Sequence, residues 1–388
     1  MEFWKKYLNN KNEMYMIFSD PRCEAKSKIV SFDLDGTLVT TKTGKTFATS
    51  SEDWKWLNEK VIPTLQQEVE RDAKIVIFTN QKGIMSRGEI NTKKCDEFCQ
   101  RIEHIIKQLA KYEIYVQLFV AISDNIYRKP LPGMWSLLEK NNQCIKIDKS
   151  KSYFIGDAAG RGDHWMKGKK KDFSCSDRKF AKNVGIKFNT PEEYFLGMKP
   201  CEFEWDDIDM NSFPLVSGRE RLNLLKIQFK EGREIILFVG SPASGKTSFY
   251  EKYLKPKGYG WINMDTLGNK TKCMREAKKL IENESFVIDN SNPTIEGRQE
   301  FIELAKKNDI PIRCFYFECD KKLTNHLNTF RALTTNKNIP AIAINVYYKK
   351  FVQPRKEEGF TEIITIPFVV EEDYLLTNDT KQLLYYSY

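Results

Sequence analysis

Short runs of β-branched and aromatic residues recur along this chain, and most of them end in polar, chemically reactive residues. Residues 28–32 (KIVSF) lead into Asp33 and Asp35, residues 74–78 (KIVIF) into Thr79, and residues 152–155 (SYFI) into Gly156 and Asp157. The pattern returns downstream. Residues 234–239 (EIILFV) precede a glycine-rich loop, residues 285–288 (SFVI) precede Asp289 and Asn290, and residues 312–319 (IRCFYFEC) form a further run. Longer stretches of helical spacing lie between them, such as residues 95–112 (CDEFCQRIEHIIKQLAKY). Short buried strands alternating with helices predict parallel sheets, with ligands beyond the carboxyl ends of the strands. Both halves read as α/β.

Residues 199–222 (KPCEFEWDDIDMNSFPLVSGRERL) break this rhythm with two prolines, an acidic cluster and no convincing strand. They predict a linker over 205–232, between a first domain of 1–204 and a second of 233–388. A long surface loop inside one domain is the alternative. A complete chemical set on each side favours the linker.

Composition narrows the class. With 388 residues, 41% hydrophobic and 13% aromatic, the chain can bury sizeable cores. Its 62 Lys and Arg against 53 Asp and Glu give a net charge of +9, which favours polyanionic partners such as nucleic acid. Nine cysteines without paired CxxC spacing argue against a disulfide framework and for a reducing compartment. Cys95, Cys99 and His104 lack the second ligand pair of a structural zinc site. No apolar run approaches the roughly 18 residues that span a bilayer. An intracellular protein without membrane association is expected, nuclear in a cellular setting and cytoplasmic in a viral one.

Asp33-Leu34-Asp35-Gly36-Thr37 follows the first run, and strand alternation would put both carboxylates on one side. Such a pair repels unless a cation bridges it or one member holds a proton. That suits a division of labour, in which one carboxylate attacks phosphorus and the other protonates the leaving alkoxide, with Mg2+ orienting the phosphate. A solvated turn is the plainer reading of the pair.

Gly240-Ser241-Pro242-Ala243-Ser244-Gly245-Lys246-Thr247 fits GxxxxGK[ST] after a strand, the setting a P-loop requires. Gly240, Ser244 and Gly245 shape a cradle for the phosphates of ATP. Lys246 would meet the β- and γ-phosphates, and Thr247 would hold Mg2+. Asp265, in WINMDTLG, could accept a hydroxyl proton or merely cap a helix. Arg331, in HLNTFRALT, could close over the phosphates or lie on the surface. Asp289 and Asn290 could organise magnesium or the incoming substrate.

FDLDGTL resembles the first motif of haloacid-dehalogenase-like (HAD-like) phosphotransferases. Thr79, in KIVIFTN, resembles their phosphate-binding hydroxyl, and Lys129, in YRKP, their phosphate-neutralising lysine. Asp157, in FIGDAAGR, resembles their metal ligand. A helix cap and a surface charge are the plain alternatives for Thr79 and Lys129. Asp163 and Asp177 compete as the second acid of the last motif, and Asp177 is preferred.

From about residue 28 to 368, the combined pattern resembles eukaryotic-type polynucleotide kinase 3′-phosphatases, which carry the phosphatase first. FDLDGTL, FTNQKGI, RKPLPGMW, GDAAGR and KKKDFSCSDRKFAKNVG match that family, as do DTLG, IDNSNP, FRALT and EGFTEIITIPF. The resemblance implies a HAD-like (Rossmannoid) phosphatase domain followed by a P-loop kinase domain. It implies removal of 3′-phosphates and ATP-dependent phosphorylation of 5′-hydroxyls at DNA breaks, which prepares them for ligation. It carries Asp33 over as nucleophile, Asp35 as acid/base and Asp157 as magnesium ligand. Asp33, Asp35 and Asp177 are also expected around the metal, with Lys246 and Thr247 on the nucleotide, Asp265 as base and Arg331 as lid arginine.

The family's larger members begin with a phosphopeptide-binding module. Only a short segment precedes the first motif here, so scaffold recruitment is not expected, and a monomer is. Met264 and Thr329 stand where basic residues are common, which predicts a weaker kinase or an altered substrate preference. Lys169, Lys170 and Lys171, with Lys167, form a basic stretch that could line the DNA backbone, remain a solvated face or serve as a nuclear address. Asn290 joins them as an expected nucleic-acid contact. Trp135 and Trp165 could stack on a terminal base, although core packing suits either. The competing functions are the same chemistry on RNA ends and a small-molecule phosphatase fused to a nucleoside or sugar kinase.

Overall fold

The apolar runs become the central strands of two separate sheets. The computed structural model describes residues 3–7, 14–86, 88–229, 232–372 and 377–388. The chain divides into two units, Met1–Asp207 with Tyr386–Tyr388, and Ile208–Tyr385.

The first unit is built on β1 (Trp4–Tyr7), β2 (Tyr15–Ser19), β3 (Ile29–Phe32), β4 (Lys74–Asn80), β5 (Val116–Ala121), β6 (Tyr153–Ile155) and β7 (Lys187–Asn189). Their order in the sheet is β1-β2-β5-β4-β3-β6-β7. The strands from β5 to β7 run parallel, while β2 joins β5 antiparallel and β1 joins β2 antiparallel. Because a strand's side chains alternate, Val30, Phe32, Ile75 and Ile77 enter one core while Ile29, Val76 and Phe78 enter another. Helices α1 (Val61–Glu70) and α2 (Thr92–Ala110) cover the first face, and α3 (Gly133–Lys140) and α4 (Ser176–Val184) cover the second. Burial on both faces explains why these strands read as continuous apolar runs. The chain leaves β3 toward β4 on one side and reaches β6 on the other. The end of β3 is therefore a topological switch point, where such sheets open a ligand crevice.

The second unit contains β8 (Ile235–Gly240), β9 (Gly260–Ile262), β10 (Phe286–Ile288), β11 (Ile312–Glu318) and β12 (Glu362–Pro367), in the order β9-β10-β8-β11-β12, all parallel. At its base the fully buried Glu234 takes two hydrogen bonds of 2.6 Å from Arg313.

The 205–232 segment differs from the irregular linker expected of it. The division falls between Asp207 and Ile208, and most of the segment packs into the second unit. Leu215–Val216 pairs with Val370–Glu371, and Ser217 forms a capping box with Glu220 at the start of the helix Gly218–Leu225. Lys230 and Glu231 lie outside the described residues. The chain end also returns to the first unit, where Asn183 exchanges two 2.9 Å hydrogen bonds with the Ser387 backbone.

Candidate active sites

The first candidate site sits at the carboxyl end of β3. Asp33 follows the strand directly, its N–H donating to Ile155 O at 2.8 Å, so the backbone on either side fixes its position. Gly36 turns the chain at φ +86°, and a Cβ placed on it would lie 2.4 Å from Asp157 Oδ2. Asp157 follows β6, and Asp177 lies in the first turn of α4, where its Oδ2 accepts the Ala158 N–H at 3.1 Å. One oxygen each from Asp33, Asp157 and Asp177 lies within 4.8 Å of the others. The buried Lys129 ammonium bridges two of them, at 2.6 Å from Asp33 Oδ1 and 2.7 Å from Asp177 Oδ1. Asn80 holds the Lys129 backbone by two 3.0 Å hydrogen bonds, one to its N–H and one to its carbonyl.

The electrostatics follow from crowding. Burial, together with the negative charges of Asp177 and Asp35, pushes the Asp33 carboxyl up to about 7 despite Lys129. Burial and the negative charges of Asp33 and Asp177 push Asp157 well above the usual carboxylate range. Burial disfavours the Lys129 charge, but Asp177 and Asp33 outweigh it and hold the ammonium above its ordinary value. With one ammonium against three carboxyls, the group relieves its repulsion by holding protons, which a bound cation would displace. Hard oxygen donors this close together fit a divalent cation such as Mg2+.

One expectation needs correction here. Asp35 does not join the acid cluster as a side-chain ligand. Its carboxylate accepts both guanidinium nitrogens of Arg101, at 2.7 and 3.2 Å, and the Gln81 amide at 2.8 Å. The strand ends at Phe32, so side-chain alternation no longer governs where Asp35 points. Asp163, the competitor of Asp177, instead accepts the Lys171 N–H at 3.1 Å. Thr79 is buried at the end of β4, and its hydroxyl also accepts from Gln81, at 2.9 Å.

Lys167, Lys169, Lys170 and Lys171 are all exposed. Their loop is tied down by Arg161, which pairs with Asp172 at 2.8 Å and lies over the Trp165 ring at 3.7 Å. Trp165 also donates to Lys170 O, and Trp135 is 1% exposed in the core beside Phe78. Phe173 follows the lysines with its ring fully exposed, and Phe47 is 81% exposed. Sequence reasoning missed Arg101, Gln81, Asn80 and both phenylalanines. Asn80 and Gln81 had a signal in the FTNQKGI motif, and Phe173 stood two residues after the basic run, whereas Arg101 and Phe47 had none.

The second candidate site follows β8. Gly240 lets the loop pass Phe317, whose Cβ would lie 2.8 Å from an added Cβ, while Gly245 adopts φ +85° and Ala243 φ +62°. Ser244 Oγ donates to Ser241 O at 2.8 Å. The Lys246 ammonium donates to Gly240 O at 3.0 Å and Ser241 O at 2.6 Å, inside its own loop. Burial pulls its pKa down to about 8, against the opposing charge of Asp289. Thr247 Oγ1 donates to Asp289 Oδ2 at 2.7 Å, and Trp261 Nε1 donates to the same oxygen at 3.1 Å.

Asp265 stands exposed in the short helix Met264–Leu267, which Asn263 rather than Asp265 caps. Asn290 Oδ1 accepts the Met264 N–H at 2.8 Å, so this side chain braces the turn that carries Asp265. Met264 is 43% exposed. Arg331 lies on the helix Lys321–Thr335, and Thr329 Oγ1 donates to Asn325 O at 3.0 Å. Asp265 and Arg331 both lie close enough to Lys246 to shift its titration, in opposite directions.

Comparison with known proteins gives one family model, described as Polynucleotide kinase 3 phosphatase, matching residues 28–195. A "Bifunctional polynucleotide phosphatase/kinase" of Schizosaccharomyces pombe is 37% identical over 89% of this chain and 81% of its own. A "Putative bifunctional polynucleotide phosphatase/kinase" of Acanthamoeba polyphaga mimivirus is 33% identical over 93% of this chain and 89% of its own. The "Polynucleotide 3'-phosphatase ZDP" of Arabidopsis thaliana is 34% identical over 44% of this chain and 24% of its own.

Proposed function

The chain belongs to the bifunctional polynucleotide phosphatase/kinase family, and we propose that it heals DNA breaks by removing 3′-phosphates in its first unit and phosphorylating 5′-hydroxyls from ATP in its second. The observation that carries this reading is the Lys129 bridge between Asp33 and Asp177, at the switch point of the first sheet. It leaves one Asp33 oxygen to act as nucleophile beside a ready counter-charge for phosphate.

In the first unit an Asp33 oxygen attacks phosphorus, while Lys129 and the Thr79 hydroxyl steady the phosphoryl oxygens. The P–O bond to the 3′ oxygen breaks, and Asp35 gives that oxygen its proton. Water then attacks the aspartyl-phosphate, Asp35 recovers a proton from it, and inorganic phosphate leaves with Asp33 regenerated. In the second unit Asp265 takes the proton of the 5′-hydroxyl, whose oxygen attacks the γ-phosphorus, and ADP departs. Lys246, released from its loop carbonyls, and Arg331 balance the charge that develops. Magnesium held by Asp33, Asp157 and Asp177, and at Thr247 and Asp289, would supply further positive charge to the phosphoryl oxygens.

The net charge of +9, the exposed lysines at 167–171 and the exposed Phe173 and Phe47 rings support a polynucleotide over a small metabolite. The test uses an oligonucleotide with a 5′-hydroxyl and a 3′-phosphate, as DNA and as RNA, with ATP and magnesium. Both DNA ends should be converted. Asp33→Ala should abolish only dephosphorylation, and Lys246→Ala only phosphorylation. Faster conversion of RNA ends would overturn the DNA assignment, and survival of both activities in these variants would overturn the sites.

A further inference from the structure

Arg101 is a charged residue on the otherwise apolar face of α2. That helix buries Cys95, Phe98, Ile102, Ile105, Ile106 and Leu109, and Arg101 shares their side at 6% exposure. A buried guanidinium needs a specific partner, and here the partner is a reacting group. Its two terminal nitrogens grip both oxygens of Asp35, at 2.7 and 3.2 Å, with Phe98 lying 5.5 Å from the guanidinium carbon. A guanidinium fork fixes the plane of a carboxylate as well as its place, which a point charge does not. Gln81 adds 2.8 Å to Oδ2, so Oδ1 keeps the freer lone pair on a side chain that is 38% exposed.

We propose that Arg101 is the positioning residue for proton transfer in the phosphatase reaction, locking the Asp35 carboxyl where it can meet first the leaving 3′ oxygen and then the attacking water. The inference rests on the reading of Asp33 as nucleophile and Asp35 as acid/base. The two steps differ in what they require. An alkoxide leaves phosphorus poorly without a proton, whereas p-nitrophenolate leaves without one. Hydrolysis of the aspartyl-phosphate needs the base whichever group departed.

Arg101→Met should therefore act selectively. With an oligonucleotide 3′-phosphate, the single-turnover rate should fall about a hundredfold, the lower range of general acid–base contributions. With p-nitrophenyl phosphate, the first turnover should keep its rate and release one nitrophenolate per protein, followed by turnover slowed by a similar factor. The nitrophenolate burst also shows that the site is folded. Arg101→Lys, which keeps the charge and loses the fork, should give the same split at about a tenfold loss.

Equal slowing of the first turnover on both substrates would overturn the proposal, because it would mean general damage to the site. A wild-type rate on the oligonucleotide would overturn it as well. Should Arg101→Met lose the burst, Arg101→Lys decides by the same comparison. Asp33→Ala tests the underlying reading separately. It must abolish the nitrophenolate burst, and a burst that survived would remove Asp33 as nucleophile whatever the Arg101 variants do.

Discussion

Adding one methyl group at Gly156 gives a sharp test of how closely the first site is packed. A Cβ on Gly156 would stand 2.4 Å from Asp177 Oδ2, 2.5 Å from its Cβ and 2.6 Å from its Cγ, so the clash covers the base of the side chain as well as its tip. Ordinary contact begins near 3.4 Å, so Asp177 must retreat by about 1 Å. The same carboxylate holds Lys129 at 2.7 Å and the Ala158 N–H at 3.1 Å, and that retreat would break at least one of these bonds. Overpacking costs about 1–3 kcal/mol and a lost bond to a charged group about 1.5–3 kcal/mol, so the first unit should lose roughly 2.5–6 kcal/mol. A misplacement of this size should slow 3′-dephosphorylation about a hundredfold. Gly83→Ala is the control: nothing lies within 4 Å of its added Cβ, so its stability should change by no more than about 0.5 kcal/mol. Chemical denaturation gives the stability change, and release of phosphate from a 3′-phosphorylated oligonucleotide gives the rate, with 5′ phosphorylation as internal reference. Wild-type dephosphorylation by a stably folded Gly156→Ala would refute the packing argument.

Ala243 sits in the phosphate loop at φ +62°, a conformation that costs a side chain about 1–2 kcal/mol, partly offset in glycine by chain entropy. Ala243→Gly should stabilise the second unit by about 0.5–1 kcal/mol in thermal melts, and a loss of stability would contradict the strain. Phe173→Ala removes a fully exposed ring beside the basic loop, so melting should not move while single-stranded DNA binding by fluorescence anisotropy weakens by about 1–3 kcal/mol. Unchanged binding would exclude the ring from the interface. Burial holds the Lys246 ammonium at about 8, and the phosphates of ATP should favour its charged form. The bound state then holds more protons, so ATP affinity should fall as pH rises above 8, with proton uptake measurable by calorimetry in buffers of different ionisation heat. Binding without proton uptake at that pH would contradict this.

Much of the fold could be read from the chain because its central strands are buried on both faces and therefore stand out as unbroken apolar runs. The sequence around Asp33, Thr79 and Asp157 marked the carboxyl ends of those strands, where a parallel sheet gathers its ligands, while Lys129 reaches the site from the loop after β5. Other features depend on pairings that local patterns do not encode. Arg101 meets Asp35 across 66 positions, and on its own it looks like one polar residue on an amphipathic helix. Which acid lies beside Asp33 and Asp157 turned on the start of α4, which brings Asp177 back under Gly156 while Asp163 remains on the basic loop. At 205–232 a local signal was present and missed: Ser217 and Glu220 have capping-box spacing. The return of Ser387 to Asn183 has no sequence signature at all.

The account stands most directly on the claim that phosphate passes through Asp33. The deciding measurement is rapid quenching of the protein during turnover of an oligonucleotide carrying a labelled 3′-phosphate, followed by mass mapping of the labelled peptide. One phosphoryl group should appear transiently on Asp33 and be absent from Asp33→Ala. Label on any other residue, or label that persists in Asp33→Ala, would contradict the account.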